Sequence, residues 1–375
     1  MLFKCPDLDD SELRAAERVR QLKESLNYVV QVTPKRWQGV LRRSTLARAV
    51  RASNSIEGYN VTVDDAIALA EGQEPLDANA EARAAVEGYQ QAMTYVIQLA
   101  NDPHFRFSVD LIRSLHFMMI DYDLTKNPGR WRPGPIYVRD DEKNAVVYEA
   151  PDAELVPGLA AELVDELNAN DPARPDVVRA AMGHLDLAMI HPFSDGNGRM
   201  ARCLQSLILA RSGTLAPQFS SIEEYLGNNT RAYYDVLARV GGGTWQPKRN
   251  ARPWIRFCLT AHFQQATDLL RRTRDIDRLW NSMEEEIRKH RLPDRLIFAL
   301  ADAAVGYRVR NGTYRPTAEI SEQVAGRDLA LAVRAGLLIA RGERRGRYYE
   351  KSSRLLGLRA STREKRVAPG DPFAA

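Results

Sequence analysis

The sequence predicts a mainly α-helical fold, and three observations carry that reading. Long segments place apolar residues three and four apart and are rich in Ala, Leu, Arg and Glu, as in residues 10–28 and 259–290, which is the spacing of amphipathic helices. One internal segment, GPIYVRDDEKNAVVYEAP, breaks the helical pattern with two β-rich runs around a polar turn. The chain has 375 residues, 44% of them hydrophobic, and no internal repeat, so a sizeable core can be buried in two or three domains.

Residues 1–100 read as an N-terminal helical region. Within it an Arg-rich helix runs from about Arg36 to Glu57 and stops at Gly58, a residue suited to the left-handed cap. Another helix runs from about 80 to 100 and is ended by Asn101, Asp102 and Pro103. Residues 101–275 form the expected core. Its β-rich runs, Ile136 to Val138 and Ala145 to Tyr148, predict a solitary hairpin. Two strands alone are marginal, so the hairpin must lie on the helical body, where its edge can pair with an extended peptide. Residues 276–360 read as a linker helix and a winged helix-turn-helix-like domain: RLIFALADAAV and GRDLALAVRAG are helical, and LLIARGERRGRYYE is strand, basic turn and strand. The remainder, 361–375, is charged, contains proline and offers little to bury, so it is expected to be disordered.

Lys and Arg total 53 against 49 Asp and Glu, a net charge of +4, which is too mild to imply nucleic acid by itself. The basic excess clusters only in the wing, at Arg341, Arg344, Arg345 and Arg347. The helix before the wing has few side chains that read base edges, so duplex DNA, a protein partner and a homodimer all stay open for this domain. Cys5, Cys203 and Cys258 are too few and too scattered for a disulfide framework or a zinc site. No stretch approaches a membrane span or a signal peptide. The expectation is a cytoplasmic protein with no membrane partner.

The richest chemistry lies in HPFSDGNGRMAR, His191 to Arg202. Helical segments precede and follow it, so it is a loop closing onto a helix N-terminus, where free N–H groups and the macrodipole favour anions. Gly196 and Gly198 let the backbone approach a phosphate. Arg199 and Arg202, three apart, can hold phosphate oxygens with their guanidinium forks. Asp195 offers a hard oxygen to Mg²⁺, and His191 titrates near neutrality, as a base for a hydroxyl should. The bland alternative is a glycine-rich turn between two helices.

This string resembles the signature of the Fic family at every fixed position, and the resemblance extends over roughly residues 36–270. It implies a Fic-type helical bundle with a hairpin flap, and a protein adenylyltransferase dependent on Mg²⁺ and ATP. His191 would deprotonate a Ser, Thr or Tyr hydroxyl of a protein target, another protein or the chain itself, which then attacks the α-phosphate of ATP. Asp195 would hold Mg²⁺, Asn197 the α-phosphate, the Gly196 and Gly198 amides the anion hole, and Arg199 and Arg202 the β and γ phosphates. Phe193 would pack inward. Ile136, Tyr137 and Val138 would position the target as part of the flap, and Tyr233 and Tyr234 would flank the adenine.

A second string, SNSIEGYN from Ser53 to Asn60, resembles the family's inhibitory signature, with Ser53, Glu57 and Gly58 in the defining places. Ser53 and Glu57 share one helical face, and a carboxylate brought to Arg202 would take away a phosphate ligand. The resemblance therefore implies autoinhibition through an N-terminal helix. Two alternatives stand beside the transferase: removal of AMP from a modified protein, with Glu57 positioning water, and a DNA-binding regulator that senses nucleotide.

Overall fold

A computed structural model describes residues 1–32, 36–140, 145–169, 171, 173–213, 215–343, 346–365, 367 and 370–374. Helices dominate. They are α1 (Asp10–Asn27), α2 (Gln38–Ile56), α3 (Val63–Ala70), α4 (Ala80–Leu99) and α5 (Val109–Ile120), then the hairpin β1 (Tyr137–Asp140) and β2 (Ala145–Glu149). There follow α6 (Val156–Ala169), α7 (Asp176–Ile190), α8 (Asn197–Arg211), α9 (Pro217–Ser220), α10 (Glu223–Asn228), α11 (Thr230–Gly241) and α12 (Arg252–Lys289). The C-terminal part adds α13 (Leu296–Val305), α14 (Asn311–Thr317), α15 (Glu322–Arg334), β3 (Leu338–Arg341), β4 (Tyr348–Lys351) and α16 (Ser353–Thr362). Helix starts follow local chemistry: Asp9 and Glu12 form a reciprocal capping box at α1, and Thr62, Asn79 and Ser108 cap α3, α4 and α5 with their side chains.

Two apolar cores result. The first gathers Tyr89 and Met93 of α4, Leu185 and Ile190 of α7, Leu204 and Leu207 of α8, and Trp254 of α12. The second gathers Leu279 and Met283 of α12 with Leu296, Leu300, Leu329 and Leu338. The 38 residues of α12, about 57 Å at 1.5 Å per residue, serve both. So does α2, which sends Trp37, Val40 and Leu41 into the second core and Ala47, Val50 and Ile56 into the first. Polar contacts root its beginning: Trp37 Nε1 donates to Asp277 Oδ1 at 2.8 Å, and Arg43 Nη2 to Asp302 Oδ1 at 2.8 Å.

The hairpin forms with β1 and β2 antiparallel and a bulge between Val138 and Arg139. The bulge moves the strands relative to the runs read from sequence, so Ile136 lies just before β1 and its carbonyl accepts from the Ala150 amide at 3.2 Å. Tyr148 anchors the hairpin through its hydroxyl, which donates to the Met189 carbonyl at 2.8 Å. The polar turn, 141–144, lies outside the described residues.

In the C-terminal part, α14 separates the two helices expected from the pattern; Gly312 and Pro316 inside it hide its helical character in the sequence. Arg341 is paired with Glu350 at 3.2 Å, and Arg344 and Arg345 lie outside the described residues. The tail expected to be disordered is anchored in its described residues. Glu364 pairs with Arg274 at 2.9 Å and Arg278 at 3.1 Å, and Phe373 packs on the first core beneath the Arg256 guanidinium, 3.9 Å from its ring centre. Composition missed this because one aromatic and one carboxylate suffice where their partners wait on α12. No helix among the described residues is long and apolar enough to cross a membrane.

Helices α2 and α10 meet at Gly227, where a Cβ would stand 2.8 Å from Ala52 Cβ and 3.2 Å from the Ala52 carbonyl oxygen. Gly227→Ala is expected to lower stability by about 1–3 kcal/mol through overpacking, read from urea denaturation. An unchanged midpoint would mean that α2 and α10 separate without cost.

Candidate functional site

The motif forms the junction of α7 and α8, as its residues dictate. His191 ends α7 in the left-handed region, φ 50°, and Gly196 enters α8 at φ 75°; the first is uncommon for a residue with a Cβ and the second is natural for glycine. Between them Phe193 is fully buried and stacks on the His116 ring, 3.7 Å between centres and 2° between planes. The Gly129 amide donates to His116 Nδ1 at 2.9 Å, so Nε2 carries the proton and donates to the Asp195 carbonyl at 2.9 Å. Burial pushes His116 down to about 4, which keeps it neutral in that bridging role.

Asn197 closes the loop on itself. Its Oδ1 accepts from the Phe193 amide at 2.9 Å and its Nδ2 donates to the Phe193 carbonyl at 2.8 Å. The side chain implied to bind the α-phosphate is therefore engaged with the loop itself. Arg132, in the segment before the hairpin, donates Nε to the His191 carbonyl at 2.9 Å and Nη1 to the Gly134 carbonyl at 2.7 Å, and its amide donates to the Pro192 carbonyl at 2.9 Å. One buried guanidinium thus ties loop to flap.

His191 is half-buried and its Nδ1 faces the Ala188 carbonyl at 3.1 Å. A carbonyl only accepts, so Nδ1 carries the proton and Nε2 keeps its lone pair. Burial first, and also the nearby Arg132 charge, hold the imidazole below its ordinary range despite the opposing Ala188 bond and Glu57 charge. The ring is neutral at pH 7, as a base requires.

On the first turns of α8, Arg199 and Arg202 are almost wholly buried. Arg202 is held by α2: Nε donates to Ser53 Oγ at 2.8 Å, and Nη2 to the Ser53 carbonyl at 2.9 Å and to Glu57 Oε1 at 2.7 Å. Burial is the largest single influence and disfavours its charge, yet the Glu57 carboxylate together with Tyr233 and Tyr89 raises its pKa. Glu57 Oε1 also lies against Gly198, where a Cβ could not fit beside it. Among the described residues, Arg202 Nη1 and all three nitrogens of Arg199 have no hydrogen-bond partner. Arg199 instead lies over the Tyr59 ring at 5.0 Å, with Asp195 3.9 Å away.

Asp195 is engaged by Lys126 at 2.8 Å, whose ammonium also donates to the Tyr59 hydroxyl at 3.3 Å. Burial opposes ionisation of Asp195, but Lys126 and Arg199 hold its pKa below the ordinary value. Among the described residues no group of three His, Cys, Asp or Glu can hold a metal. Asp195 alone fits a hard cation only if ligand oxygens fill the other positions, which is the usual manner of Mg²⁺ with phosphates.

The tyrosine pair divides. Tyr233 is buried beside Trp254 and His184, whose Nε2 faces its hydroxyl at 3.0 Å, so it is part of the packed core. Tyr234 is 44% exposed and donates to the Ile56 carbonyl at 3.3 Å, at the end of α2. Only Tyr234 has a face open to a ligand. In the hairpin Tyr137 is exposed while Ile136 and Val138 are half-buried, and β1 has no further strand beyond it among the described residues.

The structure thus brings Ser53, Glu57, His191, Asp195, Gly198, Arg199 and Arg202 together and puts Tyr233 beneath them. Sequence reading missed His116, Arg132, Lys126 and Tyr59. Tyr59 directly follows Gly58 within the second motif and so was in view; the others act through main-chain or long-range contacts that spacing does not reveal.

The Fic/DOC family model matches residues 106–209. A protein adenylyltransferase Fic of Nematostella vectensis is 27% identical over 267 residues, covering 65% of this chain and 55% of that protein. Protein adenylyltransferase fic-1 of Caenorhabditis briggsae is 31% identical over 174 residues, covering 46% of this chain and 31% of its own length. The chain therefore spans about half or less of these relatives. The crystal structure of a Fic family protein from Desulfovibrio desulfuricans G20 superposes with a TM-score of 0.61 at 20% identity, covering 93% of this chain and 98% of that one. Fic-1 (residues 134–508) from C. elegans gives 0.56 at 23% identity, covering 69% and 71%; both likenesses bear on the fold alone. His191, Asp195 and the two arginines all lie inside residues 106–209, the span over which the chain matches the Fic/DOC family model.

Proposed function

We propose that this protein transfers AMP from ATP to a Ser, Thr or Tyr hydroxyl of a protein, and that Glu57 holds it at rest. The observation that carries the reading is the set of four buried guanidinium nitrogens on Arg199 and Arg202 that have no hydrogen-bond partner among the described residues, in the same motif as a histidine whose Nδ1 faces a carbonyl. Buried donors without acceptors are costly, and a polyphosphate would supply acceptors. The named relatives point the same way.

In this mechanism the target hydroxyl gives its proton to His191 Nε2 as its oxygen bonds to the α-phosphorus. The bond from that phosphorus to the bridging oxygen breaks, and pyrophosphate leaves. Arg199 and Arg202 hold the departing phosphates, and the loop amides near Gly196 and Gly198 face the α-phosphate. Asp195 would hold Mg²⁺, which supplies charge neutralisation to the phosphates when bound. Lys126 must first give up Asp195. The open edge of β1 would align the target segment by main-chain pairing.

Glu57→Gly frees Arg202 and the space at Gly198, and is expected to raise label transfer from α-labelled ATP about tenfold or more, equivalent to ~1.4 kcal/mol. Adding His191→Ala should then cost about 10²–10⁴-fold. A Glu57→Gly protein that binds ATP yet moves no label, like its His191→Ala counterpart, would sink the transferase reading. Removal of AMP from a modified protein predicts the opposite dependence, with loss of Glu57 abolishing the reaction.

The pH dependence follows from the lowered pKa of His191. A base works deprotonated, so Glu57→Gly activity should stay level through neutrality and fall only below the ordinary histidine value of 6.5. A profile centred above 6.5 would contradict the geometry. Lys126→Met should tighten Mn²⁺ binding, followed by calorimetry in the presence of a non-hydrolysable ATP analogue, whereas unaltered or weaker binding would show that Lys126 does not compete for Asp195.

A further inference from the structure

Helix α2 has a second working face. Ser53 and Glu57 point at Arg202, while Ser44, Arg48, Arg51, Ala52 and Ser55 of the same helix line a cavity of about 670 Å³ that opens between α2, α10, α12 and α16. Positions two apart on a helix diverge by about 200°, so Arg51 and Ser55 look away from the active site by the same turn that aims Ser53 and Glu57 into it.

The cavity carries a surplus of positive charge. Six arginines border it against four carboxylates, and the carboxylates are already engaged. Arg272 takes Glu224 in a two-pronged bond of 2.6 and 2.8 Å, Arg271 takes Asp275 at 3.0 Å and Asp268 at 3.3 Å, and Glu364 is held by Arg274 and Arg278. Arg51 is used on the Val61 carbonyl. Three cations remain. Arg48 reaches Glu224 only at 3.8 Å, and among the described residues neither the Arg359 nor the Arg363 guanidinium has a hydrogen bond or ion pair. Arg359 is half-buried, and burial followed by the Arg363 and Arg48 charges lowers its pKa. Like charges gathered in a concave, partly dehydrated space are unfavourable unless an anion joins them.

We propose that this cavity is a regulatory binding site for a small, multiply charged phosphate compound of the pyrophosphate or nucleotide class, held by Arg48, Arg359 and Arg363. Arg48 belongs to α2 and the other two to α16 and the residue after it. A bound phosphate therefore ties α2 to the C-terminal part from behind and presses Glu57 into its seat on Arg202. The binding site stands on its own observations; its inhibitory sense rests on the transferase reading above.

The test is amide hydrogen exchange of α2 in the full chain, with and without inorganic pyrophosphate. An anion in the active site displaces Glu57 and speeds exchange at the end of α2, whereas an anion in the cavity slows it, so the two have opposite signs. The expected result is slowing by about tenfold, abolished in Arg48→Gln/Arg359→Gln and restored in Arg48→Lys/Arg359→Lys, with all three proteins keeping the same melting transition. No slowing in the wild type, or the same slowing in the glutamine variant, overturns the proposal. So does pyrophosphate binding, by calorimetry, that is wholly lost in Arg199→Ala. Binding of a 20-base oligonucleotide through the same arginines without any pyrophosphate binding would assign the surface to nucleic acid and also overturn it. Failure of Glu57→Gly to transfer label would remove the transferase reading while leaving the exchange result intact.

Discussion

The buried guanidinium of Arg202 is the constraint from which the rest of the structure follows. At 1% exposure it has to be surrounded by acceptors, because an unpaired buried charge is among the costliest things a fold can contain. Ser53 supplies two of those acceptors and Glu57 the third. All three come from one turn and a half of α2, so that helix must be delivered to a fixed depth and rotation. Gly227 allows the approach, and Trp37 and Arg43 fix the far end of the helix. The Ser53 contacts hold the guanidinium at its root and Glu57 meets it at one terminal nitrogen.

The junction of α7 and α8 obeys a complementary logic. A loop that must present bare amides cannot satisfy itself through them, so its rigidity comes from side chains turned inward. Phe193 and His116 stack, the Asn197 amide bridges both main-chain groups of Phe193, and Arg132 grips the carbonyl of His191. The Ala188 carbonyl keeps the His191 proton on Nδ1, and burial, with the Arg132 charge, lowers the pKa of the ring. Stability and reactivity here use different atoms of the same residues.

Much of this was legible in the sequence, and the boundary is instructive. Helices with clear apolar stripes and caps, such as α1, α2 and α4, fall within a few residues of their sequence-based limits, because local periodicity determines them. The residues of the two motifs converge in space as their chemistry suggested. Less legible was the division of labour. Asn197 looked like a phosphate ligand and is a loop staple; Tyr233 looked like a pocket wall and is core. In each case a polar side chain had two chemically reasonable partners, and only packing chooses between them. His116 and Arg132 bond mainly to main-chain oxygens and nitrogens, which every residue possesses, so no pattern of letters marks them. The tail beyond 361 was misjudged for a related reason: Glu364 and Phe373 find partners on α12 that lie about a hundred residues away in the chain.

The shared helix α12 has a mechanical consequence. Its first half is embedded in one core through Trp254 and its second half in the other through Trp280 and Met283. A continuous helix cannot melt in one half without leaving a frayed end in the other, and α2 spans the same divide. The two cores are in this sense a single cooperative unit, and a disturbance to the hydrophobic seat of Trp280 is transmitted to the core around Trp254 as strain in a rod rather than through a chain of side-chain contacts.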